Sequence, residues 1–255
     1  MLRQFLLLVL LVNFFNCKEN TSKPKEDKPL SADAIVEKAI AVAGGKLIDH
    51  SVIAFDFRDI HFKAIRNNGK FELIREFKDS LTGLSDILSN SGFERLKNGE
   101  KVKLKDSLVK KYSNSVNSVH YFSVLPYGLD GKAVHKNYLG TVTIKDKNYH
   151  KIKVTFSEDG GGEDYDDTFL YWINTESFTV DYIAYTYKEK DGQGFRFREA
   201  FNVRTIDGIR FADYDNYKNA VPNIQFEEMD TLFSNGKLEL LSKIELKNIK
   251  VKILD

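Results

Sequence analysis

The 255-residue sequence predicts a mainly β (α+β) fold. It is an antiparallel, strongly curved sheet or half-barrel of about ten strands, with two or three helices packed on its concave face. Three observations predict it. Short runs rich in β-branched and aromatic residues recur from residue 51 to the end, as strands require. Tight-turn pairs join them, notably Asn68-Gly69, Asn98-Gly99 and Asp207-Gly208, and such pairs favour hairpins. Links this short leave no room for helical crossovers, so neighbouring strands run antiparallel. That much sheet does not lie flat, and curling it into a half-barrel buries its inner face.

In chain order, the first element stands outside the fold. Arg3 precedes an apolar run over 5–12, about half the roughly 20 residues that a membrane-spanning helix needs. A positive start followed by a short apolar stretch is the pattern of an export leader, here residues 1–16. Phe14-Phe15-Asn16-Cys17 resembles the lipobox of bacterial lipoproteins. The resemblance implies acylation of Cys17 and cleavage before it. A lone thiol in an exported chain is otherwise a liability to oxidation, and several acyl chains would hold the protein to a membrane. In lipoproteins an Asp after the cysteine marks retention at the inner membrane. Lys18 stands there instead, so the expectation is the outer membrane, facing the periplasm or the cell surface. Residues 17–30 then form a tether. It holds Pro24 and Pro29, is dense in charge, and has Leu30 as its apolar residue. Such a composition stays extended and reaches at most about 40 Å.

The folded domain is expected over 31–255. Ser31 is placed to cap a helix whose Ile35, Val36, Ala39, Ile40 and Ala43 share one face, and Gly44-Gly45 stops it. Strands follow over 51–57, 60–66 and 71–77. A further hairpin joins 93–96 to 101–104. Leu108, Tyr112, Val116 and Val119 mark an internal helix, which Pro126 ends. Hairpins resume as 140–144 with 149–156, 168–173 with 178–187, and 194–204 with 208–214. One or two strands over 237–254 close the chain.

Charge narrows the function. Arg3 is the charged residue of 1–16, so the chain from Cys17 onward carries 37 basic and 37 acidic residues. A neutral balance argues against a nucleic-acid binder. His50, His61, His120, His135 and His150 show no metal-ligand spacing. There is no G-x-S-x-G elbow and no phosphate-binding glycine loop. The expectation is no enzyme, no cofactor and no nucleic-acid partner.

The stretches VNSVHYFSVLPYGL, YLGTVTI, VTFSEDGGGEDYDDTFLYWINTESFTVDYIAYTY, FRFREAFNVR and GIRFADYDNY together resemble a family of Gram-negative lipoproteins with no established activity. More distantly, the layout is similar to the Lol-type lipoprotein-carrier and lipoprotein-sorting superfamily, and LYWINTESFTVDYIAY resembles its signature hairpin. The resemblance implies a half-barrel with helices in its hollow and acyl chains bound inside. The function expected on these grounds is an outer-membrane-anchored, non-enzymatic lipoprotein that binds a lipid or other hydrophobic ligand. The alternative is a structural lipoprotein whose hollow is plugged and which docks another envelope protein.

Three groups of residues carry candidate sites. Trp172, Tyr171, Tyr185, Phe197 and Phe201 would wall the hollow or fill a core. Alternation places Tyr171 and Ile173 on one face of their strand and Leu170 and Trp172 on the other, and the Trp172 face is expected to be the interior one. Arg196, Arg198 and Arg204, opposite Phe195, Phe197, Phe201 and Val203, offer an anion site for lipid headgroups, or else pair with neighbouring acids such as Asp181 and Glu199. The loop SEDGGGEDYDD presents Asp159, Glu163, Asp164, Asp166 and Asp167 as oxygen ligands for Ca²⁺, or is a solvated turn whose glycines allow positive φ.

Overall fold

The computed structural model describes residues 30–77, 83–162, 165–189, 192–219 and 224–254. The leader, Cys17, the tether up to Pro29, and Glu163 and Asp164 lie outside the described residues. Ser31 caps α1 (Ala32–Val42) by accepting the Ala34 N–H at 3.2 Å, and Ile35, Val36 and Ala39 form its buried stripe. Gly44 ends it at φ 108°, where a Cβ would meet the Gly208 carbonyl oxygen at 2.9 Å. A one-turn helix, α2 (Gly45–Ile48), leads into the first sheet.

That sheet begins as a meander of β1 (His50–Phe57), β2 (Ile60–Asn67), β3 (Lys70–Phe77), β4 (Leu84–Ser89), β5 (Gly92–Lys97) and β6 (Glu100–Lys101). After α3 (Asp106–Ser123), a second meander runs through β7 (Val134–Ile144), β8 (Lys147–Phe156), β9 (Phe169–Asn174), β10 (Val180–Glu189), β11 (Gly192–Ile206) and β12 (Ile209–Asn219). A 3-10 turn (Phe226–Glu228) and α4 (Met229–Ser234) precede β13 (Leu238–Ile244) and β14 (Lys247–Ile253). The chain changes sheets between these last two strands. β13 pairs with β12, whereas β14 pairs with β1, Ser51 opposite Ile253. The result is two antiparallel seven-stranded sheets, ordered β14-β1-β2-β3-β4-β5-β6 and β13-β12-β11-β10-β9-β8-β7.

The fold class is the expected one, with 14 strands among the described residues where the sequence pointed to about ten. The expected hairpin turns are present: Asn68 and Gly69, Asn98 and Gly99, and Asp207 and Gly208 all have positive φ, the two-residue geometry that matches strand twist. The unforeseen β4 has a physical explanation. Its sequence LSDILS places Asp86 at 0 % exposure, and a buried carboxylate is a poor strand signal. Arg75 Nε (2.6 Å) from β3 and Arg95 Nε (2.6 Å) and Nη2 (2.8 Å) from β5 donate to it.

The helices divide between the two faces of the second sheet. On one face, Ile35, Val36 and Ala39 of α1 pack with Leu125 and Leu129 against Ile152, Val154, Tyr171, Ile173 and Ile183. α3 packs on β3, β4 and β5, burying Val116 against Ala64 and Leu73. On the opposite face, α4 sets Met229 against Leu170, Trp172, Ala184 and Phe197. Residues 169–173 are therefore all buried.

Candidate functional site: an aromatic hollow between α3 and the second sheet

α3 has two working faces. Val116 and His120 are buried on the first sheet. Asn114, Asn117, Ser118, Tyr121 and Phe122, at spacings of three and four, look the other way and line a cavity of about 630 Å³. The far wall is the second sheet, with Phe156, Phe169, Tyr185, Tyr187 and Tyr214, and Phe57 and Leu88 reach in from the first sheet. The rings form a continuous lining. Phe169 stacks on Tyr171 and Tyr185 with centroids 6.0 and 5.5 Å apart, and Phe122 lies 5.0 Å from Tyr185. Tyr121 meets Phe169 edge-on at 6.1 Å.

Three buried phenols at this wall, Tyr121, Tyr171 and Tyr214, stay neutral. Tyr121 and Tyr171 share a hydrogen bond at 3.3 Å. Burial pushes Tyr121 up to about 12 and raises Tyr171 well above the ordinary tyrosine value. Tyr214 is also raised by burial, while the charges of Arg210 and Arg198 pull it down. Arg198 carries a fixed positive charge into this setting. It is 9 % exposed, donates from Nη2 to the Tyr185 hydroxyl at 2.8 Å, and lies over the Phe122 ring at 3.9 Å. Its Nε is buried without a hydrogen-bond partner. Guanidinium stays charged at any physiological pH, and stacking returns about 2 kcal/mol at best against several for burying the ion.

At one end of the cavity lie Gly161, Gly162, Asp166, Asp167 and Lys188. The acidic glycine-rich loop is thus a rim of the hollow. Gly161 is required by close approach, since a Cβ there would lie 2.0 Å from the Ser157 carbonyl oxygen. Gly160 and Gly162 have φ of 80° and 84°. Asp166 forms an ion pair with Lys188, which holds its carboxyl below the usual range. Among the described residues, no group of three or more His, Cys, Asp and Glu side chains is placed to hold a metal. Glu163 and Asp164 of the same loop are outside that description.

The residues singled out in the sequence separate cleanly. Tyr185 lines the cavity and Tyr171 lies behind it under Phe169. Trp172 and Phe197 are on the opposite face, packed together at 5.3 Å in the α4 core, so the face bearing the indole is interior without being the hollow. Phe201 is half-buried, with the Lys243 ammonium over its ring. Of the three arginines, Arg198 lines the cavity and Arg196 covers the Tyr187 ring. Arg204 does not join them. A bulge pairs Phe201 with Asp213 and Arg204 with Phe211, which turns Arg204 onto the Phe201 face. There it donates to Asp213 at 2.9 Å and to the Leu246 carbonyl at 2.7 Å. Asp181 and Glu199 pair instead with Arg210 and Lys145. The hollow-facing stripe of α3 went unread, although Asn114, Asn117, Ser118, Tyr121 and Phe122 recur at helical spacing.

The same motifs settle kinship. A family model matches residues 5–246. The chain belongs to the family of unknown function DUF6503. This is the kind of family that the motifs resembled. No curated protein matches the chain. Among solved structures it is similar to a LolA superfamily protein from Nitrosomonas europaea, at 14% identity and TM-score 0.49, covering 89% of this chain and 96% of that one. A DUF1329 family protein from Desulfovibrio piger is similar at 10% identity and TM-score 0.49, covering 86% and 92%. A domain described as an outer membrane lipoprotein-sorting protein, from Vibrio parahaemolyticus, is similar at 10% identity and TM-score 0.46, covering 86% and 93%.

Proposed function

We propose that this member of DUF6503 is a lipoprotein of the cell envelope. Acyl chains on Cys17 would hold it at the outer membrane, and its hollow takes up a lipid or another hydrophobic small molecule. The observation that carries the reading is the cavity of about 630 Å³ between α3 and the second sheet. Its size falls within the range of small-molecule sites, and its aromatic walls with a few convergent polar groups fit their composition. Packing that merely filled a core would leave few voids larger than a water molecule. The leader and Cys17 support the envelope assignment by their sequence alone.

The role is binding and not catalysis. The polar groups of the hollow are phenols, the amides and hydroxyls of α3, one guanidinium and, at the rim, the carboxylates of Asp166 and Asp167 and the ammonium of Lys188. None is a nucleophile held by a base. His135 does reach the Ser157 hydroxyl at 2.6 Å, but on the exposed surface and outside the cavity.

Organic extraction of the full chain, purified from membranes in mild detergent, tests the proposal. The expected result is a non-covalent lipid or apolar small molecule at about one per chain, identified by mass spectrometry. It is distinct from the covalent chains on Cys17, which extraction leaves in place. An extract empty of such molecules, together with no uptake of any fluorescent fatty-acid probe, would overturn it. The plugged, partner-docking lipoprotein would then be the better account.

A further inference from the structure

We infer that Arg198 anchors an acid group, so that the ligand of the hollow is an anionic amphiphile whose carboxylate or phosphate enters first and whose chain lies along the aromatic wall. This rests on the hollow being a binding site. The reason is an unbalanced charge. The other buried arginines, Arg66, Arg75 and Arg210, have a carboxylate close by, and so do the half-buried Arg95 and Arg204. Arg75 and Arg95 share Asp86, Arg204 has Asp213, Arg210 has Asp181, and Arg66 faces Asp49. Arg198 has no carboxylate partner among the described residues. It touches the Tyr185 hydroxyl and the faces of Phe122 and Tyr185.

A buried charge is retained where something pairs it. Asp166 lines the same cavity but is occupied by Lys188. The Tyr185 hydroxyl accepts from the guanidinium at 2.8 Å, and Tyr171 and Tyr214, which feel its charge, are held neutral by burial and supply no negative charge. What remains is a ligand. Guanidinium presents a planar fork of donors that suits a carboxylate or phosphate, and the unpartnered Nε is the free tine of that fork. The ordinary arrangement at a lipid-binding mouth, with the charged head outside, is excluded for this acid group by the burial of Arg198.

The test uses the full chain after delipidation. The probes are cis-parinaric acid and its methyl ester, which share a chain and differ in charge. The parent is expected to bind the acid about tenfold or more tightly than the ester, as a charge-assisted hydrogen bond implies. Arg198→Met should bring the acid down to the ester's affinity and leave the ester within about twofold. Arg198→Lys should keep part of the preference. In the ligand-free state Arg198→Met should melt no lower than the parent, since it removes an unpaired buried charge. Millimolar inorganic phosphate should leave the bound acid in place. Equal affinity for acid and ester in the parent would overturn this inference while leaving the hydrophobic site standing, and binding of neither would overturn both. Displacement by phosphate alone would make Arg198 a free-anion site and refute the amphiphile. If Arg198→Met does not fold, Arg198 is structural and the inference falls, unless the parent's acid-over-ester preference is met by its partial loss in a folded Arg198→Lys.

Discussion

Truncating the sole tryptophan separates core from hollow. Trp172 has no exposed surface and packs edge-on against Phe197, with the Lys151 ammonium 5.6 Å above its ring. The strands on either side of it pair with its own strand, broken by one bulge between Val180 and Tyr182, so the backbone has limited freedom to collapse into the space an alanine would leave. Trp172→Ala should therefore cost about 3–5 kcal/mol. In a domain of this size that lowers the melting temperature by about 6–20 °C. The short α4, which supplies Met229 to this core, is the element able to give way, and its movement would bring the cost toward the lower figure. Trp172→Phe should be far milder. The indole N–H is buried without a partner, and deleting it recovers about 1–3 kcal/mol against a similar loss of packing. Thermal and urea unfolding of the full chain measure both. At a temperature where the alanine variant is still folded, its affinity for parinaric acid should match the parent's, because the cavity is on the other side of the sheet. Loss of probe binding with a small change in stability would refute this division of the two faces.

Three further outcomes follow from other residues. Asp86→Asn should cost about 3–5 kcal/mol in urea unfolding, since it leaves the Arg75 and Arg95 guanidinium groups buried without their shared carboxylate; a cost under about 1 kcal/mol would show that the triad is dispensable. Cys17→Ser should abolish labelling by an alkyne fatty acid and release the chain from membranes, and label retained by the variant would sink the lipoprotein reading. His120 meets the stacked Phe55 and Phe62 rings edge-on, and burial pushes it down from 6.5 to about 3. The unfolded chain then binds the extra proton, so stability should be whole above about pH 6.5 and fall as the pH drops toward 3, by about 2–3 kcal/mol at pH 4.5. His120→Leu should remove that share of the acid sensitivity.

Local rules carried the reading of the fold as far as local rules reach. Ser31, the Asn-Gly and Asp-Gly turns and the Val116 face of α3 each signal structure through their own neighbours, and each was legible. What the sequence concealed depends on distant partners. β4 exists because Asp86 finds two arginines from flanking strands, and no window of sequence contains that reason. The passage from β13 to β14 between the sheets occurs at Glu245 and Leu246, with no glycine or proline to mark it. At the candidate site the failure was one of register. Strict alternation groups Arg196, Arg198 and Arg204, and a bulge at Asn202, with φ 45°, sends the third to the other face. A bulge changes which side a charge occupies without changing any residue.

Because the second sheet is buried on both faces, stability and binding need not compete for the same side chains. The α4 face holds a buried core of Trp172, Phe197, Leu170 and Met229, and the Lys151–Asp230 pair at 2.8 Å closes that side with its charges matched. The hollow face carries what a core optimised for stability would discard: a polar stripe on α3, an open volume, and a guanidinium with no carboxylate partner among the described residues. Such costs cluster where function needs them. The two sets meet on single strands. On β11, Phe197 belongs to the core and its neighbour Arg198 to the hollow, as Leu170 and Phe169 do on β9. Adjacent positions of one strand should thus answer to different assays, the odd one to unfolding and the even one to ligand on β11, with the order reversed on β9.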